Sequence, residues 1–145
     1  RTFSKSHSLA GMRVGFMMGP ERLIGFLNTI KDSYNVNAVS QAAALAAWND
    51  RETYEKNVEA ICQTRDATRS RLIDLGFDVP ESAGNFLFAQ HPSAAAVFQF
   101  LAERHVYIRY FSTDELKGGI RITIGTEDEM QRFFEVLEQF PGLHS

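Results

Sequence analysis

The sequence has one cysteine, Cys62, in 145 residues. No intrachain disulfide can form, so stability must come from a packed core. Proline is scarce, at four residues, and no repeat or low-complexity segment interrupts the chain. Positive charge is not in excess: 15 Lys and Arg stand against 18 Asp and Glu, a formal net charge of -3. The basic residues are also scattered, which excludes a nucleic-acid footprint. No apolar run is long enough to span a membrane, and no signal peptide is visible. His91, His105 and His144 have no metal-ligand spacing, so surface positions and no metal are expected. The chain opens on Arg1-Thr2-Phe3-Ser4-Lys5 without a Met, and the sequence is expected to begin inside a larger protein.

What is present is ample apolar material. A hydrophobic content of 44% suffices for a compact domain with a real core. Arg1 to Ser4 reads as a strand end, Leu9 to Arg13 as a tight turn, and Val14 to Met18 as a short buried strand. Pro20 suits a helix start, with Leu23, Ile24 and Leu27 at helical spacing. Asn35-Val36-Asn37 is a break, and the stretch Asp32–Asn37 is a hinge candidate. Ser40 to Trp48 is alanine-rich and lacks a polar face, which predicts a largely buried helix. Asn49 and Glu52 form a predicted capping box for a long helix, which Gly76 ends. Cys62 lies on its apolar side, where a buried structural thiol is expected.

Further on, Asn85 to Gln90 reads as a strand, Pro92 to Arg104 as a helix, and Val106 to Tyr110 as a second strand. Ile120, Ile122 and Ile124 alternate with Arg121 and Thr123, the period of a third strand. Thr126 and Glu129 form a second predicted capping box. Met130, Phe133, Phe134, Leu137 and Phe140 then make a helical core stripe. Helices on a small sheet are the expected architecture from about residue 40 onward.

The first fifteen residues hold the chemistry. Thr2 and Ser4 flank Lys5, and Arg13 follows across the turn at Leu9-Ala10-Gly11. Hydroxyls, a guanidinium and a close backbone approach at a glycine suit a phosphate dianion. A lysine among them can link covalently to an aldehyde. Pyridoxal phosphate carries both groups. The spacing alone leaves open a surface lysine beside a structural arginine.

The run Arg1-Thr2-Phe3-Ser4-Lys5-Ser6-His7-Ser8-Leu9-Ala10-Gly11-Met12-Arg13-Val14-Gly15-Phe16 resembles the lysine segment of the fold type I aminotransferases. It is most similar to the histidinol-phosphate aminotransferase family. The resemblance implies that Lys5 binds pyridoxal 5'-phosphate covalently and that Thr2, Ser4 and Arg13 hold its phosphate. A second stretch, Gly119-Ile120-Arg121-Ile122-Thr123-Ile124-Gly125-Thr126, resembles the family strand whose arginine binds the substrate's acidic group. That role falls to Arg121. Asn85-Phe86 resembles a strand start near the substrate, which makes Asn85 a further substrate-binding candidate. Arg109 resembles an arginine of the preceding strand and is read as structural. His7 stands where an aromatic residue is usual, and is read as a ring that packs in its place.

The implied fold class is α/β. Residues 1–36 would be the end of the large cofactor domain, and residues 37–145 an α+β small domain. The implied function is amino transfer between a small-molecule donor and a 2-oxo acid, in a cytoplasmic homodimer with no nucleic-acid or membrane partner. The same segment also serves aromatic amino acid aminotransferases and threonine-phosphate decarboxylases, and the fold serves as an effector domain in regulators. The family's ring-stacking aromatic and ring-nitrogen aspartate precede the lysine, so this sequence carries only part of such a site.

Overall fold

The computed structural model of the chain describes residues 1–143. It divides into two compact units, Arg1–Val58 and Glu59–Ser145, with helix α3 (Arg51–Asp74) contributing residues to both.

The first unit contains a 3-10 turn at Ala10–Met12 and helices α1 (Glu21–Ile30) and α2 (Ala38–Asn49). Pro20 precedes α1, as its fixed φ favours, and Asn37 caps α2 by accepting the Ser40 N–H at 2.9 Å. Three expectations need correction here. Neither the Arg1–Ser4 strand nor the Val14–Met18 strand forms: they reduce to one bridge between Thr2 and Gly15. Met17 and Met18 are exposed, not buried, because a strand with one short neighbour has no sheet to cover it. Helix α2 buries only Ser40 and Ala44, while Leu45 and Trp48 stay more than half exposed. The unit has one small cluster to offer, and it occupies one face of α2. The cap of α3 is Asp50, whose carboxylate accepts the Thr53 N–H at 3.2 Å. Asn49 instead ends α2.

In the second unit, α3 stops where expected. Gly76 takes φ +87°, its N–H reaches the Ile73 carbonyl, and the Phe77 N–H reaches that of Leu72. This pair of bonds satisfies the helix's last carbonyls. A three-stranded antiparallel sheet follows in the order β1-β3-β2. Its strands are β1 (Phe86–Gln90), β2 (Arg109–Tyr110) and β3 (Gly119–Thr123). Strand β2 is shorter than the Val106–Tyr110 run predicted, since only Arg109 and Tyr110 pair with β3. Helix α4 (Ala94–Ala102) follows β1, and α5 (Glu127–Leu137) follows β3. The α5 capping box is formed: Thr126 Oγ1 accepts from Glu129 N–H and the Glu129 carboxylate accepts from Thr126 N–H.

Alternation decides the core. Leu87 and Ala89 of β1 and Ile120 and Ile122 of β3 are buried on one face. There they join Val97 and Leu101 of α4 and Met130, Phe133, Phe134 and Leu137 of α5. Full burial of each large aliphatic contributes about 1.5–3 kcal/mol. Cys62 is half-buried, less than expected. His91 is half-buried too, against Phe77 with ring centroids 4.8 Å apart, whereas His105 is exposed. His144 lies outside the described residues.

On the other face, the Phe88 ring lies across Gly119, where a Cβ would stand 2.0 Å from the Phe88 Cζ. Gly119→Ala is expected to lower the unfolding free energy by about 1–3 kcal/mol through overpacking, read by chemical denaturation. Phe88→Ala in the same chain should relieve part of that loss. An unchanged midpoint for Gly119→Ala alone would show that the Phe88 ring is free to move aside.

Candidate active site

The candidate residues fall in both units. In the first, Phe3 sets the geometry. Its side chain is 8% exposed and meets the rings of His7 at 4.6 Å, Phe16 at 6.0 Å and Trp48 at 6.3 Å. Phe3 N–H bonds the Val14 carbonyl, and the Phe3 carbonyl accepts from Leu9 N–H. Phe3 is flanked in the chain by exposed Thr2 and half-buried Ser4. Their hydroxyls meet: Thr2 Oγ1 donates to Ser4 Oγ at 2.9 Å, and Ser4 N–H donates to Thr2 Oγ1 at 3.1 Å. Lys5 follows directly, exposed, in a turn closed by Ser8 N–H to the Lys5 carbonyl.

Two non-glycine residues of this segment are left-handed, Ser8 at φ 57° and Arg13 at φ 56°. Each such residue costs about 1–3 kcal/mol and is held only where the surroundings fix it. Gly11 faces open space, as a backbone that a phosphate is to approach requires, and the tight backbone contact of the segment is at Gly15. A Cβ on Gly11 would meet nothing within 4 Å, whereas one on Gly15 would stand 2.8 Å from the Arg1 carbonyl oxygen. Arg13 donates Nη1–H to the Ala10 carbonyl at 3.0 Å, which ties its guanidinium to its own turn. His7 packs as a ring between Phe3 and Tyr54, the latter stacked at 4.7 Å, and its Nδ1 bonds Ser6 Oγ at 2.9 Å.

In the second unit, β3 presents Arg121 on the face opposite Ile120 and Ile122. The register sets it between Phe88 of β1 and Arg109 of β2. Two guanidinium-bearing residues thus stand directly opposite one another, an arrangement that is unfavourable without a counter-charge. Arg121 Nε is buried with no hydrogen-bond partner. Leaving such a donor unmet costs about 1–3 kcal/mol, more where the group is charged. The Phe86 ring lies 5.6 Å from the Arg121 guanidinium carbon, and the Phe111 ring 5.4 Å from that of Arg109. An open groove runs past both arginines, with Tyr107, Thr123, Asp128 and Arg132 also on its walls. Opposed cations with one orphaned donor are what an anion of two charges, or a carboxylate, would satisfy.

Asn85 is half-buried immediately before β1, and its carbonyl accepts the Ile124 N–H at 3.0 Å. It is next to Phe86 in the chain but not on the groove wall. Arg109, read from the sequence as structural, comes into the same groove as Arg121. The signal available was a pair of arginines on neighbouring strands, but the register was needed to set them opposite. Among the described residues, no cluster of three or more His, Cys, Asp or Glu side chains could hold a metal, and no helix is long and apolar enough to cross a membrane.

The family model for aminotransferase class I and II matches residues 1–137. The chain belongs to this aminotransferase family. It is 44% identical over 142 residues to the histidinol-phosphate aminotransferase of Chromohalobacter salexigens, covering 94% of this chain and 40% of that protein. It is 30% identical, with a TM-score of 0.87, to a protein of Erwinia carotovora atroseptica solved as a candidate histidinol-phosphate aminotransferase; the match covers 96% of this chain and 40% of that one. The fold is shared with the histidinol-phosphate aminotransferase of Sinorhizobium meliloti, solved in complex with pyridoxal-5'-phosphate. There the identity is 24% and the TM-score 0.82, covering 95% of this chain and 40% of that one. The chain therefore spans about two fifths of the length of the curated aminotransferases it matches.

If the opposed arginines hold an anion, inorganic phosphate should raise the thermal midpoint of the second unit by mass action. The increment should vanish in Arg121→Met. An increment of equal size in the variant would show that the anion binds elsewhere.

Proposed function

We propose that the chain is the lysine-bearing and substrate-anion-binding part of a pyridoxal-phosphate-dependent histidinol-phosphate aminotransferase. The reaction is L-histidinol phosphate and 2-oxoglutarate to imidazole acetol phosphate and L-glutamate. The observation that carries this reading is the arginine pair: Arg121, with its unmet buried Nε, stands in register with Arg109. One site must take the phosphate of one substrate and a carboxylate of the other in turn, and two guanidiniums suit both anions. Membership of the aminotransferase family and the names of the relatives support the same reading.

The residues around Lys5 fit the cofactor in part. Thr2 and Ser4 present adjacent hydroxyls beside an exposed lysine, a suitable start for a phosphate cradle. Arg13 commits one N–H to Ala10 and keeps the rest of its fork. The bound cofactor supplies the electron sink that makes the substrate Cα–H acidic. Lys5 Nζ would hold the cofactor and, once freed by the amino substrate, would take up and return the proton of the substrate Cα, as general base and acid in turn. Arg121 holds the far anionic end of the substrate and so orients that C–H bond, a positioning effect. Asn85 is assigned to substrate binding on the resemblance alone, since it lies before β1 and not on the groove wall. In this reading residues 1–36 end the large domain and residues 37–145 form the small one. The full-length protein is a cytoplasmic homodimer, as the family resemblance implies.

In the full-length protein, Lys5→Ala should abolish transamination of histidinol phosphate. Arg121→Ala should raise KM for histidinol phosphate and for 2-oxoglutarate together, a loss of about 2–5 kcal/mol if a desolvated charge pair is broken. Affinity for pyridoxal phosphate should hardly change. If cofactor affinity collapses while both KM values hold, Arg121 belongs to the cofactor site or the core, and the assignment is wrong.

A further inference from the structure

The loop that leads into β1 is tied to α3 by two arginines. Where the loop begins, Arg69 donates Nε–H to the Val79 carbonyl at 3.0 Å. Where it ends, Arg65 donates Nη1–H to the Gly84 carbonyl at 3.4 Å. The two are four residues apart, so they project from one face of α3, one turn apart. Arg65 is well held: its side chain is 14% exposed, and its Nε bonds Asp66 Oδ1 at 2.9 Å. That bond to Asp66 also raises the guanidinium above its ordinary pKa.

Inside the loop, Ser82 Oγ accepts the Gly84 N–H at 3.1 Å and donates to the Phe86 carbonyl at 2.8 Å. Outside it, Asp78 and Gln90 exchange backbone bonds. The segment is thus fixed at both ends and across its middle. The fixed end is the Gly84 carbonyl, one residue before Asn85 and two before Phe86, whose ring lies against Arg121. Val79 is buried, so the Arg69 bond satisfies an acceptor that water reaches poorly. Gly84 is exposed, and water could satisfy its carbonyl without Arg65. Ordering the long Arg65 side chain to reach it costs side-chain entropy of about 1.5–2 kcal/mol. That bond adds little net stability for its cost, and it fixes the place from which Asn85 and Phe86 start.

We propose that Arg65 and Arg69 are positioning residues, which set the Phe86 ring beside Arg121 by clamping the 79–84 loop. This rests on the proposed aminotransferase site. Neither arginine touches substrate; each acts through the loop.

The test uses the full-length protein reconstituted with pyridoxal phosphate. Arg65→Met and Arg69→Met keep the apolar stems and remove the donors. Each should raise KM for histidinol phosphate about tenfold, as a small misplacement does. Cofactor affinity and kcat should stay nearly unchanged. The unfolding midpoint should hold in Arg65→Met and fall in Arg69→Met, which leaves the carbonyl of buried Val79 without its donor. In a Phe86→Ala background the same Met substitutions should add no further loss in KM, because the clamp acts through the residue already removed. Arg65→Lys and Arg69→Lys, each with one donor kept, should recover most of the lost affinity and serve if a Met variant fails to fold. KM penalties that add to Phe86→Ala, or a lowered unfolding midpoint with an unchanged KM, would make the clamp merely structural and overturn the proposal. Arg121→Ala separates the two ideas. If it leaves KM unmoved, the site reading itself fails and takes the clamp with it. If it raises KM and the Met variants do not, only the clamp fails.

Discussion

The alternation of β3 is the constraint on which the second unit depends. Ile120 and Ile122 must enter the core for α4 and α5 to have something to pack on. A strand that buries them has to turn Arg121 the other way. The antiparallel register then brings Arg109 opposite Arg121 from one side and Phe88 from the other. Slipping by one residue would bury a guanidinium and expose the isoleucines, so the hydrophobic core and the arginine-bearing face are specified by one pairing. Gly119 belongs to the same arrangement, since only a residue without a Cβ lets the Phe88 ring lie over β3.

The first unit rests on one buried ring. Phe3 is buried, while Thr2 and Ser4 join their hydroxyls beside it and Lys5 is exposed. The aromatic cluster of Phe3, His7, Phe16, Trp48 and Tyr54 is what holds the segment, together with the Thr2–Gly15 bridge. Two left-handed non-glycine residues, Ser8 and Arg13, show how tightly its path is determined. The aromatic sandwich also packs the His7 ring between Phe3 and Tyr54.

Much of this was legible in the sequence where a local rule acts alone. The period of two at Ile120–Ile124, the Thr126–Glu129 box and the glycine stop at Gly76 each depend on a few neighbouring residues, and each is found. The lysine motif likewise pointed to the right family. What failed depends on partners distant in the chain. The Val14–Met18 strand needs a sheet beside it, and α2 needs something to cover Leu45 and Trp48. The cap of α3 moved from Asn49 to Asp50 because α2 extends through Asn49, a choice between adjacent residues that both suit the role. The place of Arg109 opposite Arg121 was hidden because a strand of two paired residues carries no periodic signal, and only its register gives it a neighbour. The tie between α3 and the 79–84 loop could not be read at all, since a donor's carbonyl partner leaves no mark on side-chain sequence.

The central claim is that Lys5 is the residue that binds the cofactor. Its most direct test is borohydride reduction of the full-length protein after loading with pyridoxal phosphate, followed by a peptide map of the fixed label. The account predicts the label on Lys5 at one equivalent per chain, with Lys31, Lys56 and Lys117 unmodified. A label fixed on any of those three, with Lys5 bare, would contradict it.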